Sequence, residues 1–449
     1  MGSMSLALLT DKYELTMLEA ALADGVAGRR SVFEVFARRL PRGRRYGVVA
    51  GTGRLMELLG ELSFDAPDGT LEWLVESGTV KPSTAEWLAS YRFRGSISGY
   101  AEGEVYFPGS PVLTVDGTFA ECVILETLIL SVLNHDCAVA SAASRMTASA
   151  GERPCLEMGA RRTHEEAAAA AARAAYVAGF AGTSVLEAGR RWGIPTIGTA
   201  AHAFTLVHDS EREAFTSQLA SQTAATTLLV DTYDIRQAVN LAIELAGPGL
   251  RAVRLDSGDL PQLARAVRRQ LDALGATGTA ITVTSDLDEY AIAGLAAAPV
   301  NSYGVGTKLV TGSGAPTAEM VYKLVARQDA EGRLEPVGKR SSGGKSTIGG
   351  AKWAGRRIDD SGIAEEEVIL TGPAVHPVAP ESYGLRPLQV GYVDHGQIDL
   401  ARAGRSCLAA ARARHLASRD ELPTSGLRLS EGEPAIPTTV SNVLDGAGA

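Results

Sequence analysis

Four apolar runs between residues 194 and 307 each end in small, hydroxylated, acidic or histidine residues, and this repetition restricts the folds open to the chain. Ile194–Ile197 leads into Gly198-Thr199-Ala200-Ala201-His202, and Leu250–Leu255 into Asp256-Ser257-Gly258-Asp259. Ala280–Val283 leads into Thr284-Ser285-Asp286, and the last run closes on Gly304-Val305-Gly306-Thr307. With a further start near 227, the units begin near 195, 227, 251, 280 and 302. That spacing of roughly 20–30 residues suits a strand–loop–helix unit. Repeated units of this kind build a parallel sheet, and in a closed barrel the reactive side chains gather at the C-terminal ends of the strands. The expected fold class is therefore α/β, a (β/α) barrel-like domain, accompanied by a second, β-rich α+β domain.

The second domain is read from the first third of the chain. Residues 5–25 read as helical, with Asp11 able to cap and Leu15, Leu18 and Leu22 at helical spacing. Ser31–Arg38 reads as a half-buried strand, and 93–116 as short strands joined by Pro/Gly turns, with helices near 51–61 and 70–90. From 119 the texture changes to a nearly continuous apolar helix (119–133) and an Ala-rich helix (164–177) of high intrinsic propensity. After 327 a charged, Gly-rich stretch, Lys339–Lys345, precedes two strand-like runs, Val368–Thr371 and Gln389–Tyr392. A basic helix (402–418) and a Pro/Gly/Ser-bearing tail, expected to be mobile, follow. The expected domains are 1–118, an N-terminal α+β domain; 119–327, the barrel; and 328–449, a C-terminal segment packing partly on the N-terminal domain.

Composition narrows the class of function. The chain has 449 residues, 45% hydrophobic and 21% charged, enough for a sizeable core in two or three domains. Its net charge of −9 argues against a broad nucleic-acid or anionic-membrane footprint but leaves room for one small anion. Cys122, Cys137, Cys155 and Cys407 are widely spaced and form no C-x-x-C pair, so neither a zinc knuckle nor a disulfide framework is expected. No uninterrupted run of 18 apolar residues occurs, and the N-terminus lacks a signal pattern; Met1-Gly2-Ser3-Met4 reads as an added leader before a native start at Met4. The expectation is a soluble cytoplasmic protein.

Several strand-end residues could carry chemistry. Arg254 and Asp256 are two apart in a strand and share a face. They form either an internal ion pair or a site in which Arg254 grips a planar carboxylate as a bidentate fork. In the second case Asp256 and Asp259 serve ribose hydroxyls or a magnesium ion, which takes one or two carboxylates plus substrate phosphates. Asp259 also suits the N-cap of a helix over 260–274. The Gly304–Thr307 turn offers bare amides and the Thr307 hydroxyl to a phosphate, although such a sequence is often only a turn. Of the seven histidines, His202 has small residues around it at a strand end, which suits a general base or a phosphoryl acceptor; His208, six residues on, serves as its control. Tyr13 and Arg161-Arg162 read by themselves as a helix aromatic and a solvated basic pair.

Taken in order, these motifs resemble nicotinate phosphoribosyltransferase of the type II phosphoribosyltransferase fold. The resemblance runs from Thr10-Asp11-Lys12-Tyr13 through Phe33-Glu34-Val35-Phe36, Gly159-Ala160-Arg161-Arg162 and Gly198–His202. It continues through Arg254–Asp259 and Gly304–Thr307 to Val321-Tyr322-Lys323-Leu324. It implies ATP-coupled transfer of phosphoribose from phosphoribosyl pyrophosphate to nicotinate, giving nicotinate mononucleotide in NAD salvage, with ATP as co-substrate and Mg2+ as cofactor. It implies that His202 is phosphorylated and catalytic with Asp256, and that Tyr13 stacks on the pyridine ring from the partner subunit of a homodimer. Thr199 and Arg254 would bind nicotinate, Gly306 and Thr307 phosphate, and Arg161, Asp259 and Asp286 other parts of the substrates. Asp286 stands where similar proteins can carry Asn, Asn134-His135-Asp136 has no assigned role, and Cys407 alone cannot form the zinc knuckle of some compact members. The alternatives are a nicotinamide or quinolinate phosphoribosyltransferase of the same fold, or a non-catalytic nucleotide-binding regulator.

Overall fold

The computed structural model describes residues 5–339, 347–372 and 379–442. The chain divides into two compact units, one of residues 1–140 and 317–449, the other Ser141–Pro316. Both edges lie inside the expected 119–327 domain, for a packing reason. The first turns of the helix Glu126–Ala150 carry Leu128, Ile129, Val132 and Leu133 into the core formed by Leu15, Leu18, Phe33 and Val35. Likewise, the strand Met320–Gln328 is hydrogen-bonded to Arg30–Ala37. A boundary placed by texture cannot see that the first turns of this helix pack in the first unit's core.

The first unit is built on a seven-stranded antiparallel sheet in the order Leu334–Pro336, Met320–Gln328, Arg30–Ala37, Leu113–Thr118, Ser96–Tyr100, Gln389–Asp394 and Gln397–Ile398. The C-terminal segment thus joins the sheet through Gln389–Asp394 beside Ser96–Tyr100. A second sheet sets Ala351–Ile358 against Ala364–Gly372, and Thr438–Asn442 extends it in parallel. Arg30–Ala37 was expected to be half-buried, yet every residue after Arg30 is buried. Its polar side chains are satisfied internally: Glu34 meets Lys352 Nζ at 2.9 Å, both nearly solvent-free. Asp11 occupies the N-cap of Lys12–Asp24 but its side chain makes no capping bond. Thr10 donates instead to Glu14, Oγ1 to Oε2, at 2.6 Å.

The unassigned Asn134-His135-Asp136 proves structural. Asn134 Oδ1 accepts from the Met320 amide and Thr317 Oγ1, each at 2.8 Å. The fully buried Asp136 carboxylate takes a two-pronged bond from Arg54, Nε and Nη2 each at 3.0 Å, and His135 Nδ1 at 2.7 Å. Phe119–Ala150 is long and apolar enough to cross a membrane, but 67% of its most apolar window is buried in the protein, as in a core helix. The expected basic helix is seen at Leu408–Asp420, one face of it buried through Leu408, Ala411, His415 and Ser418. Residues 340–346 of the Gly-rich stretch, His376, the end of the tail from 443 and residues 1–4 lie outside the described residues.

The second unit alternates strand and helix. Its six strands are Cys155–Glu157, Gly182–Thr183, Thr227–Leu229, Ala252–Leu255, Ala280–Val283 and Ser302–Val305. All adjacent pairs are parallel. In the sheet the second strand is followed by the first, then the sixth, fifth, fourth and third. Neighbours are therefore consecutive in the chain and the first strand lies beside the last, which is the cyclic order of a barrel. The ladder is open on one side, making a half-barrel. Ile194–Ile197, expected as a strand, contributes only a single parallel bridge, Thr183 to Thr196. The run is too short and is punctuated by Pro195, which has no amide to donate.

Candidate active site

The strand ends of the half-barrel bring Thr199, His202, Arg254 and Asp256 together. Arg254, 12% exposed at the end of Ala252–Leu255, donates through Nη1 to Thr199 Oγ1 and, at 3.4 Å, to the Ala200 carbonyl. Its Nη2 lies 3.4 Å from Asp256 Oδ2, and its Nε has no hydrogen-bond partner. The Arg254–Asp256 pair is therefore loose and single-pronged, because Asp256 Oδ1 is taken by the Thr284 hydroxyl instead. A purely structural ion pair would be expected to close as a fork. Thr284 reaches Asp256 from the neighbouring strand, whose Val283 is in register with Leu255.

His202 does not sit in a turn directly after a strand. It is the first residue of a short helix, His202–Leu206, reached through the irregular stretch Gly198–Ala201. Its Nδ1 is 3.1 Å from Thr232 Oγ1. Its Nε2 lies 3.9 Å from Asp231 Oδ1 and 3.7 Å from Asp256 Oδ2, too far for hydrogen bonds but within ion-pair reach. With Nδ1 held by a hydroxyl, Nε2 is the nitrogen left for chemistry, and the ring is 39% exposed. His208 differs: its Nδ1 faces the Phe204 carbonyl at 2.8 Å, one turn back on its own segment.

Two residues of this group were not singled out in the sequence. Asp231, 2% exposed, receives the Asp256 amide and the Ser257 hydroxyl on Oδ2, each at 2.8 Å, while Oδ1 has no hydrogen-bond partner and faces His202. The signal was available, since Asp231-Thr232 closes the apolar run Thr227–Val230 as the other polar pairs close theirs. Glu157 ends the three-residue strand Cys155–Glu157, too short to register as an apolar run. It is buried, and its two carboxylate oxygens accept from the Gly159 amide and the Thr183 hydroxyl. Burial pushes its pKa up, while these donors pull it back.

The remaining expected residues have fewer partners. Gly306 precedes the four-residue helix Thr307–Val310, and a side chain on it would press the Met158 carbonyl at 3.3 Å. Gly304 is tighter, because a Cβ there would lie 2.7 Å from Met158 Sδ. Asp259 is exposed and caps Leu260–Ala273 by accepting from the Gln262 amide at 3.2 Å. Arg161 and Asp286 are exposed, and neither makes a side-chain hydrogen bond or ion pair among the described residues. Asp286 follows Ser285, whose φ of 118° is one that non-glycine residues rarely adopt. Tyr13 belongs to the other unit; it is 42% exposed, and burial together with Glu126, to which its hydroxyl bonds, raises its pKa. Among the described residues no group of three or more His, Cys, Asp or Glu side chains is arranged to hold a metal ion unaided.

Comparison with known proteins identifies the family. Residues 8–134 match the nicotinate phosphoribosyltransferase N-terminal domain, and residues 154–328 match the nicotinate phosphoribosyltransferase family. The chain is 56% identical over 443 residues to nicotinate phosphoribosyltransferase pncB1 of Mycobacterium tuberculosis, covering 96% of this chain and 94% of that one. It is 36% identical to the nicotinate phosphoribosyltransferase of Bacillus subtilis, over 80% of this chain and 74% of that one. The crystal structure of human nicotinic acid phosphoribosyltransferase superimposes with a TM-score of 0.78 at 26% identity, covering 95% of this chain and 96% of that one. The chain belongs to the nicotinate phosphoribosyltransferase family.

Proposed function

We propose that this protein transfers phosphoribose from phosphoribosyl pyrophosphate to nicotinate in NAD salvage, with ATP hydrolysis coupled through phosphorylation of His202. The observation that carries the reading is Asp256 Oδ2 lying 3.7 Å from the His202 ring and 3.4 Å from Arg254, in a chain whose catalytic region belongs to this family. Arg254, with Thr199, holds the nicotinate carboxylate, and Tyr13 of a second copy covers the pyridine ring in a homodimer. Gly306 and Thr307 receive phosphate, and Arg161, Asp259 and Asp286 contact the rest of phosphoribosyl pyrophosphate and ATP. The bond from C1 of the ribose to pyrophosphate breaks, the pyridine nitrogen bonds to C1, and the protein's task is to align them. As a phosphoryl acceptor, Nε2 must present a lone pair, so the Nδ1–H donates to Thr232 Oγ1 in the active tautomer.

Asp231 and Asp256 beside Nε2 would repel an incoming phosphoryl group, and the partnerless Asp231 Oδ1 fits a cation there. These two carboxylates would hold Mg2+ with substrate phosphates, and the ion would neutralise the leaving pyrophosphate. We assign the protein to the cytoplasm, which suits four buried cysteines that form no disulfide.

Product formation from nicotinate, nicotinamide and quinolinate, each with and without ATP, tests the substrate. Mononucleotide from nicotinate, increased by ATP, supports the reading; turnover of only one of the other two, or of none, counts against it. Labelled ATP with magnesium should yield an acid-labile, base-stable phosphoprotein whose label is lost in His202→Ala and kept in His208→Ala. Phosphoribosyl transfer should persist at a reduced level in His202→Ala, since the histidine drives the reaction without touching the pyridine.

A further inference from the structure

The buried Glu157 side chain bonds through its two oxygens to two separate segments of the unit. One oxygen accepts from the Gly159 amide. The other accepts from the Thr183 hydroxyl, whose oxygen also accepts the Val185 amide at 2.9 Å. Each donor belongs to a different substrate loop. Gly159 opens the turn Ala160–Arg162, and it is seated so closely that a side chain there would collide with Val310 and lie 3.1 Å from the Gly306 carbonyl. Thr183 forms the bridge to the stretch leading to Thr199 and His202: its amide donates to the Pro195 carbonyl at 3.0 Å, and the Ile197 amide donates to its carbonyl at 2.9 Å.

We infer that Glu157 is a positioning residue, tying the Arg161 turn to the Thr199–His202 segment. The inference rests on the roles proposed above for Arg161, Thr199 and the phosphate turn. Glutamine offers one acceptor oxygen in place of two, so Glu157→Gln must give up or reverse one of the two bonds. Steady-state kinetics on the full chain read the result. KM should rise by about ten-fold or more for phosphoribosyl pyrophosphate, nicotinate or both, with a smaller change in kcat, the size expected from losing one hydrogen bond to a charged group.

Thr183→Val tests the same point with less risk to folding: it should raise KM for nicotinate and leave that for phosphoribosyl pyrophosphate within about two-fold. Thr183→Ser, which keeps the hydroxyl, should restore wild-type values. Wild-type KM values in both Glu157→Gln and Thr183→Val, whatever their melting temperatures, would overturn the inference. A wild-type chain that makes no nicotinate mononucleotide overturns the reading beneath it, so the two failures are separable.

Discussion

At the scale of single residues, the site is a set of groups whose partners leave something over. Arg254 has a partnerless Nε and only a 3.4 Å contact from Nη2 to Asp256. Losing its fork should cost nicotinate binding about 2–5 kcal/mol, roughly 30-fold or more in affinity. Arg254→Lys keeps the charge but not the planar geometry and should remain impaired, with phosphoribosyl pyrophosphate much less affected. Equal loss for both substrates with a lowered melting temperature would instead make Arg254 half of a structural pair. Asp136 shows the opposite pattern, a group with every partner present. Burial alone would raise its pKa, but Arg54 and His135 hold it down at about 2. A carboxylate depressed in the fold adds stability above its unfolded pKa, and loses it as the pH falls through the folded value. Asp136→Asn should therefore cost about 2–3 kcal/mol near neutrality. In urea titrations its gap to the wild type should close between about pH 4 and pH 2.

At the scale of elements, the same residue can serve the helix and the ligand. Asp259 caps Leu260–Ala273 through the Gln262 amide. Removing a side-chain cap costs about 1 kcal/mol, whereas serine caps nearly as well as aspartate. Asp259→Ala should thus lower the unfolding midpoint and Asp259→Ser should not. If Asp259 also contacts substrate, Asp259→Ser should still raise KM for phosphoribosyl pyrophosphate; stability and KM both unchanged would confine it to capping. The strands themselves were legible when four residues long, as in Ala252–Leu255 and Ala280–Val283. Cys155–Glu157 and Gly182–Thr183 were not, because two or three residues carry no periodicity. Ile194–Ile197 misled for the converse reason: it is apolar, but Pro195 limits its pairing to the single bridge at Thr196.

For the whole molecule, the division into units follows packing, not sequence order. Arg356, fully buried, binds Glu104, Glu367 and Glu421 at 2.9, 3.0 and 3.1 Å, joining a loop, a strand and the end of the last helix within the first unit. These partners are far apart in sequence, so the C-terminal segment is integral to that unit. Tyr13 belongs to that unit and His202 to the other. A site shared between subunits predicts complementation: mixing Tyr13→Ala chains with His202→Ala chains should give hybrid dimers with one intact site. Activity above that of either variant alone supports sharing, and no recovery after verified subunit exchange counts against it.

The sequence by itself determined the parallel α/β unit and the strand ends as the place of chemistry, because apolar runs with polar ends are local patterns. It also carried the order of motifs that identifies the family. Only the tertiary structure decided which polar ends meet. Thr284 takes one oxygen of Asp256, Thr232 orients His202, Asp231 faces the same ring, and Glu157 enters from a strand whose own sequence gives little notice. Those pairings depend on strand order and register across the sheet, which are set by long-range packing and leave no periodicity along the chain.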